Sequence, residues 1–464
     1  MGVLTALFGR QKTQSLEQIF QAADVTSSEM QAAITSWLAL YFDGSAPPEE
    51  DDCQRLPVVI VNKLYKTVFS EYAASVNRDD TFGKWLADEL ELLNRAARTA
   101  VQYQLIGGEC LIKPVLYGGH LDFVPVRRDL FIPLARDARG KLVSVGLTET
   151  TVESGKYYTL AERRTVDESG ALIIESRLYQ SGNRSALGQE VPLQALPRYA
   201  AVKPEIRLPD IGCVGLVQLR TPLFNCVDGS ADAVSVYAPA VGLIKNINQN
   251  ERQLCDEFEN GASRVIASGD LIKKDIYGQK SLSDKLFVGL DEDPDSVGIT
   301  IFSPALREAS YLARKQEYLR NCETLIGLKR GILSEVEAAE RTATEITSSA
   351  GDYNLTIQDF QETWENALRE TMALCVRLGQ AYHMIGDNGF DPQTDVSVDW
   401  GDGVLFDRTR TWSEYMQLVS AGMMKPELAL AWYFDLPHKT PEDLARIRAY
   451  YMPELERLTS GDEA

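Results

Sequence analysis

The sequence predicts an α+β protein that contains more than one packed unit. Three observations lead to this prediction: amphipathic periodicity recurs in long segments, strands separated by turns occupy residues 110–179, and two long helical segments bracket a short β-rich insert. The length of 464 residues also exceeds the roughly 250–300 residues at which a single hydrophobic core stops growing.

Helices are expected to precede the first sheet. Apolar residues at helical spacing predict one amphipathic helix over 15–41, an apolar helix over 56–72, and a longer helix that begins at Thr81.

The strands follow these helices. Residues 110–114 and 121–126 predict a hairpin, because Gly118 and Gly119 between them can adopt the positive φ angles of a tight turn. Further strands at 142–150, 157–164 and 171–179 complete an antiparallel meander that packs on the helices.

The second half of the chain begins near residue 225, after a segment rich in proline and glycine. A helix is expected from 229 to 260, with Pro239 kinking it or marking its true start and Gly261 as a left-handed C-terminal cap. Four short strands are then predicted at 264–267, 273–277, 285–288 and 299–302.

A second helix is expected to begin at Ser303-Pro304. A small, polar stretch over 331–352 breaks the periodicity, and a long helix over 356–385 gives the strongest periodic signal in the chain. One strand around 396–400 and three short helices, the last of which begins at Thr440-Pro441, complete the prediction.

Composition and charge restrict the possible functions. Lys and Arg number 47 against 67 Asp and Glu, a net charge of −20. This charge opposes tight binding to nucleic acid, which needs clustered cations, but it would suit a protein past which DNA slides without sticking. No apolar run approaches 18 residues, so we expect an intracellular chain with no membrane span.

The sequence offers no clear cofactor or enzyme site. Phosphate-binding glycine loops are absent, and the seven cysteines and three histidines do not have metal-site spacing. One cluster leaves an alternative open, because Asp395, Asp399 and Asp402 could present carboxylates to magnesium as in two-metal nucleases. Strand alternation instead places Asp395 and Asp399 on an exposed polar face, opposite Val396 and Val398.

The order of elements and several motifs resemble those of tailed-bacteriophage portal proteins. One branch of that family has a Thr-Ala-Thr-Glu stretch between stem and long helix, and this chain has a similar run at Glu340-Arg341-Thr342-Ala343-Thr344-Glu345-Ile346-Thr347-Ser348. Residues 106–114, 121–125 and 130–133 are similar to the wing strands of the same branch.

The resemblance implies a portal-like fold with wing, stem, clip and tunnel-loop segments. The implied parts are an N-terminal wing over 1–228, stem helix 1 over 229–263, a clip over 264–303, stem helix 2 over 304–328, a tunnel loop and long wing helix over 329–386, and a C-terminal wing with a reduced crown over 387–464. The tunnel loop itself would lie at about 331–352.

The resemblance also implies a function without enzymatic activity or a cofactor. A ring of twelve copies would form a channel at one capsid vertex of the virion, after assembly in the host cytoplasm, and double-stranded DNA would be packaged and ejected through it. The implied partners are the terminase large subunit, a head completion or adaptor protein, and the major capsid and scaffolding proteins.

Two features of the sequence suit such a ring. Stem helices need apolar faces against neighbouring subunits, and one helix can supply such a face with Val241, Ile244, Ile247, Leu254 and Phe258. Residues 335–370 carry nine acidic and two basic side chains, and this charge would repel phosphates and lower friction on a passing duplex, although a solvated helix face explains it equally well. The candidate channel-lining residues are Glu340, Arg341, Thr342, Thr344, Glu345 and Ser348.

Two other functions remain open at this point. The first is a metal-dependent nuclease or hydrolase that uses Asp395, Asp399 and Asp402. The second is a minor head scaffold protein of the virion, which would form no central channel.

Overall fold

The computed structural model describes most of the chain. The described residues are 16–42, 54–117, 119–261, 264–267, 272–274, 280–282, 299–302, 305–335, 343–387, 389–401, 408–434, 436 and 441–452. Helices and antiparallel sheets make up this part of the chain, which confirms the α+β class.

The N-terminal segment forms two helices where one was predicted. A short helix, α1, covers residues 16–20, and α2 covers Ser28–Phe42. The first ends because Gln21 adopts a left-handed φ of 51°. The second begins at a new N-cap, since the Ser27 hydroxyl accepts the amide of Met30 at 3.1 Å.

The next two helices are close to their predicted positions. Helix α3 covers Leu56–Val68 and α4 covers Thr81–Gly107, where the Asp80 carboxylate caps α4 by accepting the amide of Gly83 at 2.7 Å. The sequence did not predict the strand between them. This strand, β1 (Ala73–Val76), pairs with a strand more than 300 residues later, so no local pattern indicates it.

Two antiparallel sheets follow, in agreement with the predicted meander. Strands β2 (Glu109–Tyr117) and β3 (His120–Arg127) form the predicted hairpin, in which Gly119 has a φ of 88°. The larger sheet has the order β4-β5-β6-β7-β8, and β9 also pairs with β7. The strands of this larger sheet are β4 (Phe131–Arg136), β5 (Leu142–Glu153), β6 (Lys156–Val166), β7 (Leu172–Ser181), β8 (Gln189–Val191) and β9 (Glu205–Leu208). The smaller sheet gains a third strand, β10 (Val217–Arg220), which pairs with β2.

A buried charge network joins the two sheets. The ammonium of Lys113 on β2 lies 2.8 Å from the Glu162 carboxylate on β6, and the Arg164 guanidinium lies 2.5 Å from it. Arg164 also donates to the carbonyl of Gly215 at 2.8 Å. Burial alone would raise the pKa of Glu162, but the charges of Arg164 and Lys113 outweigh it and lower the pKa to about 2.

The second half contains two further long helices, a β insert and the longest helix of the chain. Helix α5 covers Val241–Asn260 and α6 covers Glu308–Ile326. Strands β11 (Arg264–Ala267) and β14 (Ile299–Phe302) pair with each other, as do β12 (Ile272–Lys274) and β13 (Lys280–Leu282). The predicted strand at 285–288 lies outside the described residues.

The start of α5 follows one of the two predicted alternatives and its end agrees with the prediction, but the predicted C-terminal cap is wrong. The helix starts at Val241, after a single 3-10 turn at Ala238–Ala240, so Pro239 marks its start and residues 229–237 are not α-helical. Gly261 has a φ of −78° and is therefore not a left-handed cap.

The long helix, α7, covers Ala343–Ala381 and passes through the main core. It begins earlier than predicted, so residues 343–352 are helical in backbone and not part of a loop, and it ends four residues before the predicted 385. Trp364 on α7 is buried in an aromatic cluster with Phe69, Tyr72 and Trp400, whose rings lie 5.0–6.3 Å apart. This cluster fixes the strand β15 (Val396–Asp399) against α7 and β1.

Three short helices end the described chain, as predicted. They are α8 (Arg408–Ser420), α9 (Pro426–Phe434) and α10 (Pro441–Tyr451). Among the described residues, no helix combines the length and apolar composition needed to cross a membrane.

Candidate functional site

Helices α5 and α6 form an antiparallel hairpin, called the long hairpin below. The Asn250 side chain donates to the carbonyl of Tyr311 at 3.1 Å, and Lys315 lies 2.8 Å from the Glu251 carboxylate. Closer to the tip, Glu257 accepts the Nη2 group of Arg307 at 2.6 Å. These contacts fix the register of the two helices along their length.

The base of the long hairpin is part of the main core. Ile244 and Ile247 on α5 and Cys322 on α6 are at most 1% exposed. The segment that leads into α5 is equally fixed, because Tyr237 is fully buried and its hydroxyl donates to the Trp37 carbonyl at 2.9 Å. The base therefore cannot pivot without disturbing the core.

The tip of the long hairpin is exposed and carries the β insert. Phe258 is 46% exposed and Leu312 is 50% exposed. Strands β11 and β14 pair antiparallel directly beyond the helices, with Arg264 opposite Phe302. This pair therefore joins the two ends of the insert. The result is an arm whose base is fixed in the core and whose helices expose apolar side chains near the tip.

The apolar face predicted for contacts between subunits is mostly used within the chain. Ile244, Ile247 and Leu254 are at most 8% exposed and pack inside this single chain. Phe258, in contrast, remains exposed at the tip. The prediction was wrong for the three buried residues because an amphipathic stripe does not indicate whether its partner is the next helix or another subunit.

A buried carboxylate holds the loop that follows the long hairpin. Glu323 on α6 is 0% exposed and accepts the amides of Gly331, Leu333 and Ser334 at 3.1, 2.6 and 2.9 Å. It also accepts the Ser334 hydroxyl at 2.8 Å. One side chain thus fixes residues 331–334, at the start of the segment predicted as the tunnel loop. The sequence analysis missed Glu323, because its four hydrogen bonds depend on the fold of the loop.

The end of α6 packs closely on the long helix α7. Gly327 follows α6 with a left-handed φ of 77°, and a Cβ at this position would lie 2.7 Å from the Thr356 hydroxyl of α7. Only glycine satisfies both constraints without a shift of backbone or side chain. The long hairpin and the long helix therefore meet at a rigid corner.

The acidic residues counted over 335–370 do not all face solvent unpaired. Glu365 forms an ion pair with Arg369 and accepts the Trp400 indole at 3.3 Å. Glu370 lies 3.1 Å from the Lys141 ammonium. Asp359 and Glu362 are exposed on α7. Arg369 and Lys141 therefore offset part of the negative charge at the C-terminal end of this stretch.

The predicted channel-lining residues fall on both sides of the start of α7. Thr344, Glu345 and Ser348 belong to the helix by their backbone, whereas Glu340, Arg341 and Thr342 lie outside the described residues. Their role in lining a channel stays a prediction.

The aspartates considered as metal ligands have other partners. Asp395 lies 3.2 Å from the Arg78 guanidinium and also accepts the amide of Asp391 at 3.1 Å. Asp399 accepts the amide of Gly401 at 2.9 Å, and Asp402 lies outside the described residues. Across the parts of the chain that the structure describes, no three His, Cys, Asp or Glu side chains converge as a metal site.

A second buried charge network supports the approach to α5. The Arg136 guanidinium lies 2.9 Å from Asp232 and 3.3 Å from the fully buried Glu109, and Arg128 lies 3.7 Å from Asp232. Burial alone would raise the pKa of Glu109, but the charges of Arg136 and Arg128 outweigh it and lower the pKa. The network ties Asp232 to the start of β2 and to β4 of the larger sheet.

The arrangement is mechanical in character. It combines a projecting arm with a fixed base, a β insert at the tip of the arm, and a corner that connects the arm to the longest helix. Contacts of Glu323, Gly327 and Tyr237 connect the arm to the core and to the long helix.

Comparison with known proteins identifies a family. The family model described as "Phage portal protein, SPP1 Gp6-like" matches residues 96–450. No curated protein matches the chain. One similar solved structure is described as the neck of a native GTA particle computed with C12 symmetry. It shares 12% sequence identity with this chain at a TM-score of 0.46, and the match covers 89% of this chain and 95% of that chain. Another is described as the neck of an empty GTA particle computed with C6 symmetry. It shares 10% sequence identity with this chain at a TM-score of 0.48, and the match covers 89% of this chain and 96% of that chain.

Proposed function

This chain belongs to the phage portal protein family, and on that premise we propose that it forms a ring-shaped channel at one vertex of a phage capsid, through which double-stranded DNA is packaged and ejected. The observation that carries the proposal is the family match, which spans residues 96–450. That range contains the long hairpin, its β insert and the long helix α7.

The long hairpin corresponds best to the stem of such a portal. Its two helices run antiparallel between a base in the core and an exposed tip, as a channel wall requires if each subunit contributes one hairpin. The insert over 264–303 would then be the clip, and the segment from 329 to the start of α7 would contain the tunnel loop. Residues 1–228 and 387–464 would form the wing, with a reduced crown at the C-terminal end.

The charge of the chain supports passage of DNA without retention. A subunit with a net charge of −20 repels a polyanion overall, and a duplex that must move through the ring should not be bound tightly. We propose Glu340, Arg341, Thr342, Thr344, Glu345 and Ser348 as the residues of the channel wall.

The exposed tip is the surface we assign to exchanging partners. Short strands such as those of the insert can be extended by strands of another protein. The terminase large subunit would dock there during packaging, and a head completion or adaptor protein would replace it afterwards. The major capsid and scaffolding proteins would surround the wing in the virion.

The test is native mass spectrometry combined with negative-stain imaging of the purified full-length protein. We expect rings with a central hole and a mass near that of twelve 51.6 kDa subunits, about 619 kDa. A neighbouring ring number would keep the proposal. A monomer or dimer at high concentration, also in the presence of capsid and scaffolding proteins, would contradict it.

The same preparation separates the two other candidate functions. A scaffold protein would give particles without a central hole. A nuclease would cleave duplex DNA with magnesium and lose this activity on Asp399→Ala substitution. The ion pair between Asp395 and Arg78 gives the portal function the better support, because it occupies one of the three carboxylates that the nuclease needs.

A further inference from the structure

The three C-terminal helices bury little of their own apolar surface. Among the described side chains of residues 408–452, only Glu427, Ala429, Ala431 and Ile447 are buried. A fully buried Leu, Ile or Phe side chain contributes about 1.5–3 kcal/mol, and alanine contributes much less. Seven large apolar or aromatic side chains described in this unit are exposed instead: Met416, Leu418, Met423, Tyr433, Phe434, Tyr450 and Tyr451.

Five aromatic rings form a continuous row across the three helices. Trp412 on α8 and Tyr433 on α9 have ring centroids 4.5 Å apart, and Tyr433 and Phe434 are 5.0 Å apart. Phe434 stacks on Tyr451 of α10 at 5.0 Å, and Tyr450 follows at 5.9 Å. These five residues are called the aromatic row below.

The aromatic row is both exposed and preorganised. Tyr450 is 89% exposed, Phe434 is 47% exposed, and Tyr433 and Tyr451 are each 43% exposed. The buried Glu427 on α9 lies 2.5 Å from the Arg448 guanidinium of α10, so an ion pair fixes the two helices that carry most of the row. Rigid aromatic side chains lose little conformational entropy when they become buried in an interface.

The exposed area is large enough for the centre of a protein interface. Since each aromatic side chain can remove about 150–250 Å² from water, the exposed fractions of the row correspond to on the order of 400 Å². One partner of a standard interface buries about 800 Å². The row would thus supply about half of one side of such an interface, with a polar rim for the remainder.

Charge points to a second copy of this chain as the occupant. Residues 408–452 contain six basic and five acidic side chains, a net charge of +1, so the remainder of the chain carries −21. Lys425 and Arg446 are exposed on this unit, as are Glu414 and Glu442, so its charges nearly balance. Two copies that meet through their acidic parts repel each other, whereas this nearly neutral unit can meet the acidic surface of a neighbour without that repulsion.

We propose that the aromatic row of one subunit docks onto a different, acidic surface of the adjacent subunit. The inference rests on the ring proposed above. Contacts between two different surfaces can repeat around a closed ring, whereas a row that met its own copy would give only a two-fold dimer.

The test compares the assembly of full-length variants by native mass spectrometry over a range of protein concentrations. The Tyr450→Ser/Phe434→Ser double variant should raise the concentration needed for half-assembly at least about tenfold, as loss of central interface anchors does. Tyr117→Ser is the matched control, because Tyr117 is also an exposed aromatic residue, at 79%, but lies on the hairpin of β2 and β3. The control should stay within about twofold of the original chain.

Tyr450→Ser alone guards against a folding defect, since Tyr450 lies at the end of the row, next to Tyr451, and is almost fully exposed. It should keep the circular dichroism spectrum and still weaken assembly. In a second measurement, p-benzoyl-phenylalanine at position 450 should crosslink one copy to the next on irradiation of assembled rings.

Three outcomes would overturn the inference. If the original chain forms rings and the row variants assemble equally well, the row is not a contact between subunits. Crosslinks from position 450 that form only within one chain would lead to the same conclusion. If the original chain forms no ring, also in the presence of capsid and scaffolding proteins, both the inference and the proposed function fail.

Discussion

Single buried carboxylates connect parts of this protein that are far apart in the sequence. Glu109 and Asp232 share the guanidinium of Arg136, and Glu162 connects the two sheets through Lys113. Removing one partner of such a pair leaves an uncompensated buried charge, which costs about 3–5 kcal/mol. These positions are therefore the most sensitive to substitution.

Glu323 allows the first prediction at this scale. Its replacement by alanine removes the acceptor of the amides of Gly331, Leu333 and Ser334. Each lost hydrogen bond to a charged group is worth about 1.5–3 kcal/mol, so amide exchange in residues 331–334 should accelerate at least about tenfold in hydrogen–deuterium exchange mass spectrometry.

Glu317→Ala is the matched control for this variant. Glu317 lies on the same helix, its side chain is 62% exposed, and its carboxylate lies 4.0 Å from the Arg320 guanidinium. Equal exchange rates for the two variants would mean that Glu323 does not fix the loop.

Glu162 gives a prediction for the dependence of stability on pH. Its pKa is lowered to about 2 in the folded protein, so it contributes stability that is present above its ordinary pKa of 4.5 and is lost as the pH falls from that value towards 2. Glu162→Gln should therefore destabilise the protein on the order of 3 kcal/mol at pH 7. The difference from the original chain should shrink below pH 4, as urea denaturation would measure.

Glu175→Gln serves as the control for the pH experiment. The Glu175 carboxylate is 40% exposed and lies 3.8 Å from Arg163, on the strand next to that of Glu162. An exposed pair of this kind contributes about 0–1 kcal/mol. A Glu162→Gln variant with the same stability as this control at pH 7 would refute the prediction.

At the scale of elements, the sequence predicted most helices and strands because their patterns are local. The hairpin of β2 and β3, the strands β11 and β14, and the three C-terminal helices agree with their predicted positions. The errors arise where a contact distant in the sequence decides the outcome. Strand β1 exists because β15 pairs with it, and α3 ends at Val68, four residues before the predicted end.

Periodicity also left open the partner of an amphipathic face. The stripe of Ile244 and Ile247 was expected to contact other subunits, but both residues are buried in this chain. Ile247→Ala should therefore lower the free energy of unfolding of the unassembled chain by about 2–4 kcal/mol, through loss of buried methyl groups. The number of subunits in the ring should not change.

The measurements for this variant are urea denaturation at low protein concentration and native mass spectrometry at high concentration. Lys245→Ala, at an exposed position on the same helix, should leave the stability within about 0.5 kcal/mol of the original. If the variant loses the ring while the stability of the single chain is unchanged, Ile247 contacts a neighbouring subunit and the prediction is wrong.

At the scale of the whole molecule, the fold separates an arm, a core and a C-terminal unit that differ in charge and burial. The sequence predicted the order of these parts through its resemblance to portal proteins, and the family match over residues 96–450 confirms that resemblance. It could not predict which surfaces stay exposed. The aromatic row combines residues from three helices, and only the folded chain shows that their rings meet and stay exposed to solvent.

The net charge supplies the last prediction, which concerns the passage of DNA. A ring of twelve subunits with −20 each carries a charge of −240, so it should not retain duplex DNA even at low salt. The Glu340→Lys/Glu345→Lys variant adds +48 to such a ring, and if the two residues line the channel, these charges face the phosphates directly. DNA should then be retained at about 50 mM salt and released steeply as the salt concentration rises, because retention depends on counterion release.

Retention is measured by electrophoretic mobility of duplex DNA with purified rings, and packaging by the DNA content of particles assembled with each variant. The control variant, Glu153→Lys/Glu168→Lys, makes the same change in charge at two exposed positions in the larger sheet and its turns. If both variants retain DNA equally, net charge alone decides the outcome and residues 340–345 do not line the channel. If only the Glu340/Glu345 variant retains DNA and slows packaging, the effect depends on position, which a wall along the path of the duplex explains.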